Sequence, residues 1–383
     1  MQDGAGRLEV VDADGHVQEP GDLWERYIDK RFYPYRPIID PVATDNMMVV
    51  AGRVLPRITL PDPHNEDYRS VLMGGWNATF GDEFAKGPNG FSPQWYLEEM
   101  DREGIDRMVL FPSRGLYACA VDDLDGDLAN AITLAYNQWL ADFCSTDPHR
   151  LVAVALSSLH DPAGAADQLR YCARQLGCVA AMIRPNPVQG RNLDHSANDA
   201  FWGAAEELGI AVATHEGTGV WMKEYGPDRF ASRLAQHAMS HVVEAMQAVY
   251  CFTIGGILER FPALRVGFLE AGGTWLAPWL YRLDEHAEQL QDVPSETGRI
   301  SKRPSSYFRE QCWTSCEPDE PNVGGLFEYA GADRIMWASD FPHPDAKYPG
   351  LVKGMMTAMA SSHVGEADIA RYAGANARAF YRI

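Results

Sequence analysis

Eight short apolar runs recur along the 383 residues of this chain, and helical stretches separate most of them. Such runs predict strands that are covered on both faces, because a strand with one wet face alternates between apolar and polar residues. Strands of this kind joined by helices form parallel sheets. In chain order the runs are VVDA, MVLF, VAVAL, VAAMI, IAVAT, VGFLE, the region of YFREQCWTS, and IMWASD. We therefore predict an α/β fold, a (β/α)8 TIM-like barrel that occupies residues 1–383 as a single domain.

The longest interruption of this pattern falls between the first two runs, at about residues 19–91, which are rich in Pro, Asp and Tyr. We predict an insertion there, and within it a hairpin, MMVVAGRVLPRITL, with Gly52 near its turn. The next helix is predicted to begin after Ser92 with Pro93 in its first turn, and to end at Gly104. An open doubly wound sheet is the alternative to a barrel, but no GxGxxG motif opens a helix after the first run.

The charge and the cysteines narrow the class of protein. The net charge is −20 and the isoelectric point is near 4.9, which argues against nucleic acid or an anionic membrane as a partner. No uninterrupted apolar run has the length of a transmembrane helix, and the N-terminal MQDGAGRLEV lacks the features of a secretory signal. The seven cysteines are scattered and form no CxxC pair, so we expect free thiols and a cytoplasmic location.

Ionisable side chains follow five of the apolar runs at the point where each run ends. In a barrel the carboxyl ends of the strands carry the active site, so these side chains are expected to meet there. Burying them is costly unless they are paired or bind a metal, and imidazole together with carboxylate suits zinc, iron or manganese. We therefore predict a divalent metal site. The side chains belong to Asp12, Asp14 and His16 after the first run, Arg184 after the fourth, His215 after the fifth, Glu270 after the sixth, and Asp340 with His343 after the eighth.

Several motifs give the chain a family resemblance. They are DADGHVQEP, MDREGIDRMVLFPS, THEG, GGILERFPALRVGFLEAGGTWL and ASDFPHPD, and together they span nearly the whole sequence. The chain resembles the amidohydrolase superfamily, and within it the amidohydrolase-related branch of aminocarboxymuconate-semialdehyde and resorcylate-type decarboxylases. The resemblance implies a homodimer or larger homo-oligomer and a divalent metal held by four residues, Asp14, His16, His215 and Asp340.

Two positions depart from that resemblance. The family's decarboxylases usually carry a histidine at the end of the sixth strand, where this chain has Glu270. The fourth strand ends in Arg184, not in the lysine or glutamate that bridges two metals in binuclear hydrolases. Glu270 could still bind a metal itself, because RLAQHAMSHVVEAM places His237 and His241 on one helical face. The number of metal ions, one or two, therefore stays open, and Glu270 and His241 are the candidate ligands of a second ion.

The ligand set predicts a hydrolase that acts on a small carboxylate- or carbonyl-containing substrate. A metal with an open position lowers the pKa of its bound water, towards ~7 for zinc, the ion we expect, with manganese and iron as alternatives. Non-oxidative decarboxylation, a dinuclear iron or manganese oxygenase and a non-catalytic partner subunit are the other hypotheses. Predicted catalytic residues are Asp340, Glu270 and His241; predicted substrate contacts are Arg184, His343 and Trp275.

Overall fold

The computed structural model describes residues 7–39, 48–56, 78–80, 91–290, 300–344, 346–362 and 364–383. Eight parallel strands form one sheet in which chain neighbours are also spatial neighbours. A small antiparallel sheet lies between the first and second of them in the chain. In chain order the strands are β1 (Val11–Val17), β2 (Ile38–Ile39), β3 (Met48–Val50), β4 (Arg53–Leu55), β5 (Arg107–Pro112), β6 (Leu151–Leu156), β7 (Ala180–Ile183), β8 (Ala211–Thr214), β9 (Arg265–Phe268), β10 (Cys312–Cys316) and β11 (Ile335–Trp337).

The eight-stranded sheet closes on itself beside the polar end of β1. Its order is β1-β5-β6-β7-β8-β9-β10-β11, and these neighbouring strands pair in parallel. His16 N donates a hydrogen bond to Phe341 O (2.7 Å), and Asp340 N donates one to Asp14 O (3.0 Å). These two bonds join β1 to the segment that follows β11. The predicted (β/α)8 barrel is confirmed, and the open sheet is excluded.

Helices connect the strands and cover the outside of the barrel. The predicted helix ends at Ser92 and Gly104 are confirmed: Ser92 Oγ accepts a hydrogen bond from Trp95 N, and Gly104 has a left-handed φ of 79°. The helices are α1 (Leu23–Tyr27), α2 (Pro93–Glu103), α3 (Gly115–Ala118), α4 (Gly126–Cys144), α5 (Pro162–Gln175), α6 (Asp199–Leu208), α7 (Arg233–Phe252), α8 (Ile257–Arg260), α9 (Leu276–Gln289), α10 (Pro304–Gln311), α11 (Val323–Ala330), α12 (Leu351–Ser361), α13 (Glu366–Ala370) and α14 (Asn376–Tyr381).

The predicted hairpin between the first two barrel strands is present where the structure describes it. β3 and β4 pair in antiparallel fashion around Ala51 and Gly52, and β2 pairs with β3. The hairpin contacts the loop after β8, since Trp221 Nε1 donates to Val54 O (2.9 Å). The rest of the predicted hairpin, residues 57–60, lies outside the described residues. The boundaries of the insertion, about residues 19–91, and the single-domain assignment stay predictions.

Two composition-based expectations can be compared with the structure. All seven cysteines are free and buried, as expected. In the described part of the chain, the stretch Arg233–Arg260 is long and apolar enough by composition to cross a membrane, but 67% of its apolar window is buried inside the protein. Burial of that kind is what a helix packed on a barrel requires, so the composition of the stretch is weak support for a membrane span.

Candidate active site

The polar end of β1 supplies two neighbouring side chains of the site. Asp14 and His16 are buried, and the pairing of β1 with β5 shifts its register between Asp12 and Gly15. A Cβ atom on Gly15 would lie 2.6 Å from Met108 Cγ, so glycine is needed between the two polar residues. Asp12 points elsewhere: its carboxylate accepts hydrogen bonds from Ser339 N and Ser339 Oγ. Asp12 therefore braces the loop after β11.

His16 and His215 point their Nε2 atoms at each other. His215 directly follows β8, and the two Nε2 atoms are 3.2 Å apart. The Nδ1 of His16 faces Pro112 O (2.9 Å) and that of His215 faces Glu216 O (2.8 Å). Because a carbonyl only accepts, each Nδ1 carries a proton and each Nε2 of the neutral ring presents a lone pair. Two lone pairs at this distance repel unless a cation lies between them.

Burial keeps both rings neutral. It lowers the pKa of His16 to about 4, with a further contribution from the charge of His343. It also lowers the pKa of His215 well below the ordinary value, and the neighbouring His16 acts in the same direction. At neutral pH the two imidazoles are therefore uncharged, which is the form that binds metal.

Asp14 supplies a carboxylate to the same point. Its Oδ1 is 3.6 Å from His16 Nε2, and its Oδ2 is 3.6 Å from His215 Nε2. Asp14 Oδ1 is buried and has no hydrogen-bond partner among the residues that the structure describes. Burial, followed by repulsion from Asp340 and Glu270, raises the pKa of Asp14 well above its usual range. A divalent cation would relieve the unpaired oxygen, the facing lone pairs and the repulsion together, so these residues fit a metal ion.

Asp340 links this cluster to His343. One carboxylate oxygen, Oδ1, is 3.1 Å from His16 Nε2 and 2.7 Å from His343 Nδ1. The His343 ring stacks on His16 with 3.9 Å between centroids, and its Nε2 is 2.9 Å from Ser113 Oγ. Burial opposes ionisation of Asp340, but the charge of His343 and the hydrogen bond from that ring outweigh it and hold the pKa below the usual range. Asp340 is therefore ionised at neutral pH. Sequence reasoning missed Ser113, although it directly follows the second barrel strand.

Glu270 lies between two histidines. Its Oε2 is 3.1 Å from His215 Nε2, and its Oε1 is 3.5 Å from His241 Nε2 on α7. Glu270 and Asp340 both adopt the left-handed backbone region, with φ of 49° and 57°. This conformation is unfavourable for glutamate and is better tolerated by aspartate, and residues held in it concentrate at functional sites. The backbone strain at both strand ends accompanies two carboxylates that are directed at the same cluster.

A cavity of about 560 Å³ opens onto this cluster. Its volume suits a small-molecule substrate. His237, which the sequence left without a role beyond its helical face, lies in the cavity wall beside His241. The ionisable side chains in the wall are those of Asp14, His237, His241, Glu270, Glu317, Asp319, Glu320, Asp340 and Lys347.

Two predicted substrate contacts lie elsewhere. The Arg184 guanidinium is buried and donates to Glu216 Oε1, Leu116 O and Gly217 O, each at 2.8 Å. Arg184 therefore pairs with Glu216, not with Glu270, and is not among the residues that line this cavity. Its role as a substrate contact stays a prediction. Trp275 donates to Gly272 O (2.8 Å) and packs on the core, outside the residues that line the cavity.

The fold and this cluster define a class of protein: a barrel enzyme whose active site is built from imidazoles and carboxylates at the carboxyl ends of parallel strands. The model of the Amidohydrolase family (Amidohydro_2) matches residues 11–383, and the chain belongs to that family. It is a metal-dependent enzyme of the family, a hydrolase or a carboxy-lyase.

Two relatives of known activity are decarboxylases. The chain is 25% identical over 258 residues to 2-amino-3-carboxymuconate-6-semialdehyde decarboxylase of Dictyostelium discoideum, covering 67% of this chain and 68% of the relative. It is 25% identical over 309 residues to γ-resorcylate decarboxylase of Rhizobium sp. (strain MTP-10005), covering 75% of this chain and 86% of the relative. These matches confirm the resemblance drawn from the motifs.

A solved structure supports the same fold. 5-Carboxyvanillate decarboxylase of Novosphingobium aromaticivorans, crystallised as a point mutant with manganese and 3-methoxy-4-hydroxy-5-nitrobenzoic acid, aligns with a TM-score of 0.71. The two chains are 20% identical, and the alignment covers 99% of each. The likeness extends over the whole barrel.

Proposed function

We propose that this protein is a metal-dependent, non-oxidative decarboxylase of a small aromatic or unsaturated carboxylic acid. This activity was an alternative to hydrolysis in the sequence analysis, and the decarboxylase relatives favour it. The observation that carries the proposal is the position of Asp340, whose carboxylate contacts the candidate ligand His16 on one side and the ring of His343 on the other. That arrangement combines metal binding with proton delivery.

The metal would be held by Asp14, His16, His215 and Asp340. When bound, a divalent ion supplies a Lewis acid that orients the substrate and stabilises charge developing on its oxygens. Zinc is the ion expected from the donor types, and the manganese in the 5-carboxyvanillate decarboxylase makes manganese the first ion to test. Asp14 Oδ1, which is buried and has no hydrogen-bond partner among the described residues, supports an ion at this position.

The residues around Asp340 would handle the proton. Loss of CO2 breaks a carbon–carbon bond and leaves an electron pair on carbon, which must take up one proton. His343 Nδ1, 2.7 Å from Asp340 Oδ1, can supply that proton to the carboxylate of Asp340. Asp340 then passes the proton to the substrate carbon. Ser113 Oγ, 2.9 Å from His343 Nε2, holds the ring in place for the transfer. Substrate carboxylate and one proton thus give the product and CO2.

Hydrolysis is the second candidate, and Glu270 favours it. The carboxylate stands where the family's decarboxylases usually carry a histidine, and it contacts both His215 and His241. A carboxylate beside the metal can act as a general base towards water. In that case the substrate would be a small amide, ester or lactone.

The first test is CO2 release from 2,6-dihydroxybenzoate and 5-carboxyvanillate by the manganese-loaded protein. We expect turnover of at least one of the two acids. Asp340→Asn should lower kcat by about 100-fold or more, because a general acid contributes roughly that much or more. His343→Gln should shift the pH profile of kcat. Retained CO2 release in Asp340→Asn would exclude this mechanism, and cleavage of ester substrates without any CO2 release would favour hydrolysis.

Self-association and cytoplasmic location are further proposals. Phe230, Leu234 and Met239 are exposed apolar side chains on and beside α7 and could support contact between copies of the chain. The proposed location rests on the acidic composition and the free buried thiols. Sedimentation velocity would give the oligomeric state directly.

A further inference from the structure

We propose that Glu270, His241 and His237 bind a second divalent cation beside the first. The inference rests on the metal site of the proposed function, because Glu270 reaches from that site to α7. It sharpens a possibility that the sequence left open by adding His237 and by giving Glu270 the role of a bridging carboxylate.

The two histidines occupy one face of α7. His237 and His241 are four residues apart, their ring centroids are 4.5 Å apart, and both line the cavity. Side chains four apart on a helix project in the same direction. This is the spacing by which helix-borne histidine pairs bind one metal ion. The helix therefore presents two imidazoles to the same part of the cavity.

The ring of His241 is oriented as a metal ligand would be. Its Nδ1 is 3.3 Å from the backbone oxygen of His237 and 3.3 Å from Thr218 Oγ1. In the tautomer whose Nδ1 donates to this carbonyl, Nε2 presents a lone pair; Thr218 Oγ1 and Ser240 Oγ (3.4 Å from Nδ1) are hydroxyls that suit either tautomer. That lone pair faces Glu270 Oε1 at 3.5 Å, an acceptor facing an acceptor. A cation between them, or a proton on Nε2, is required.

Glu270 is placed to bridge two sites. One of its oxygens contacts His215 of the first site, and the other faces His241. Its left-handed φ of 49° is the kind of strain that persists where the surrounding structure imposes a functional geometry. Bridging by a carboxylate through its two oxygens is common for paired divalent ions.

The charge of the cavity also favours a second cation. Asp14, Asp340 and Glu270 bring three carboxylates to the first site, one more than a single divalent ion neutralises. Further out, the wall adds Glu317, Asp319 and Glu320, whereas Lys347 is the one Lys or Arg among the lining residues that the structure describes. Lys347 already lies 3.6 Å from Asp319.

The rival arrangement is a hydrogen on His241 Nε2 that is donated to Glu270, which leaves no lone pair for a cation. Metal content separates the two. The protein is stripped with a chelator, reloaded with manganese alone and desalted, and its manganese is then counted by mass spectrometry and examined by electron paramagnetic resonance. We expect two ions per chain and an exchange-coupled spectrum, since a shared carboxylate holds both ions close together. One ion per chain with the spectrum of isolated manganese overturns the inference.

Variants locate the second ion. His241→Gln and Glu270→Gln should each bind one ion and lose the exchange coupling. The matched control is His286→Gln on α9, because His286 Nδ1 contacts the carbonyl four residues back, Arg282 O, as His241 does, but on the exposed surface. This control should keep two coupled ions. Two coupled ions in both His241→Gln and Glu270→Gln would overturn the assignment.

Failure of this inference is distinct from failure of the proposed function. A variant that still binds one manganese ion has kept the first site and its fold, which guards against misfolding as the cause of the loss. If His241→Gln binds no manganese, the manganese content of Glu270→Gln decides whether the second site exists, because that substitution preserves the shape of the side chain. If the wild-type protein binds one ion and releases CO2, the inference of a second site is refuted and the proposed function stands. If it binds two ions and releases no CO2, the proposed reaction is refuted and the second site stands.

Discussion

A buried histidine away from the cavity shows how the surroundings of an imidazole determine its charge. His160 Nε2 is 2.8 Å from Val121 O, and its Nδ1 is 2.7 Å from Ser158 Oγ. The carbonyl and the hydroxyl together fit one neutral tautomer. Burial is the main cause that lowers the pKa of His160 below its ordinary 6.5. The folded protein therefore takes up this proton less readily than the unfolded chain does.

We predict that His160→Gln weakens the pH dependence of stability on the acid side. For a depressed pKa the stabilisation is present above the unfolded value of 6.5 and is lost as pH falls towards the folded value. Urea unfolding between about pH 5.5 and about pH 7.5, one unit either side of the ordinary histidine pKa, measures this. The wild-type decline should exceed that of the variant by up to about 1.4 kcal/mol per pH unit. His16 and His215 act in the same direction in both proteins and cancel in the difference. Equal slopes would show that His160 does not titrate with folding.

The candidate ligands were predictable residue by residue, and their neighbours were not. Asp14, His16, His215 and Asp340 each end an apolar run, and a buried ionisable group at a strand end has few uses in a barrel. Arg184 ends a run as well, but its side chain pairs with Glu216. No sequence pattern reveals that the side chain of Glu216 points towards Arg184. The contact of Ser113 with His343 joins positions 230 residues apart, which only the fold brings together.

At the scale of the element, helix boundaries follow from local chemistry. Gly104 ends α2 with a φ of 79°, and a Cβ atom there would meet no atom of the described residues within 4 Å. We predict that Gly104→Ala destabilises the protein by about 1 kcal/mol through backbone strain alone. The matched substitution Gly203→Ala, in the interior of α6, should stabilise by about 0.5 kcal/mol or more, because alanine favours helix and the nearest atom, on Phe261, is 3.6 Å away. Thermal unfolding of both variants checks the opposite signs; equal signs would contradict the argument.

Strands were predictable where their side chains are apolar. β5 to β9 are apolar runs buried on both faces, and each appears where its run predicted it. β10 has the sequence CWTSC and could be located only as a region, although it is wholly buried. Its hydroxyls are satisfied inside the barrel, as Thr314 Oγ1 donates to Phe268 O (3.0 Å). The short strand β2 pairs with the hairpin through two residues, too few to leave a periodic pattern.

At the scale of the whole molecule, the candidate metal site coincides with the closure of the barrel. Its donors come from β1, from the end of β8 and from the segment after β11, and backbone bonds from His16 and Asp340 join the first of these to the last. An ion that binds the folded chain and not the unfolded one stabilises the fold by mass action. The ion should therefore stabilise the barrel as a whole and not one loop.

We predict that manganese raises the unfolding temperature of the stripped protein in a concentration-dependent way. At a free concentration 100 times the dissociation constant, the gain in unfolding free energy is about 2.7 kcal/mol for one ion. His215→Ala should abolish most of this gain, because it removes the donor that β8 contributes, while His286→Gln on the surface of α9 should retain it. Differential scanning calorimetry across a manganese titration gives both curves. An equal rise in His215→Ala and wild type would mean that the stabilising ion binds elsewhere. The protein alone would then hold the facing Nε2 atoms of His16 and His215 at 3.2 Å against their repulsion.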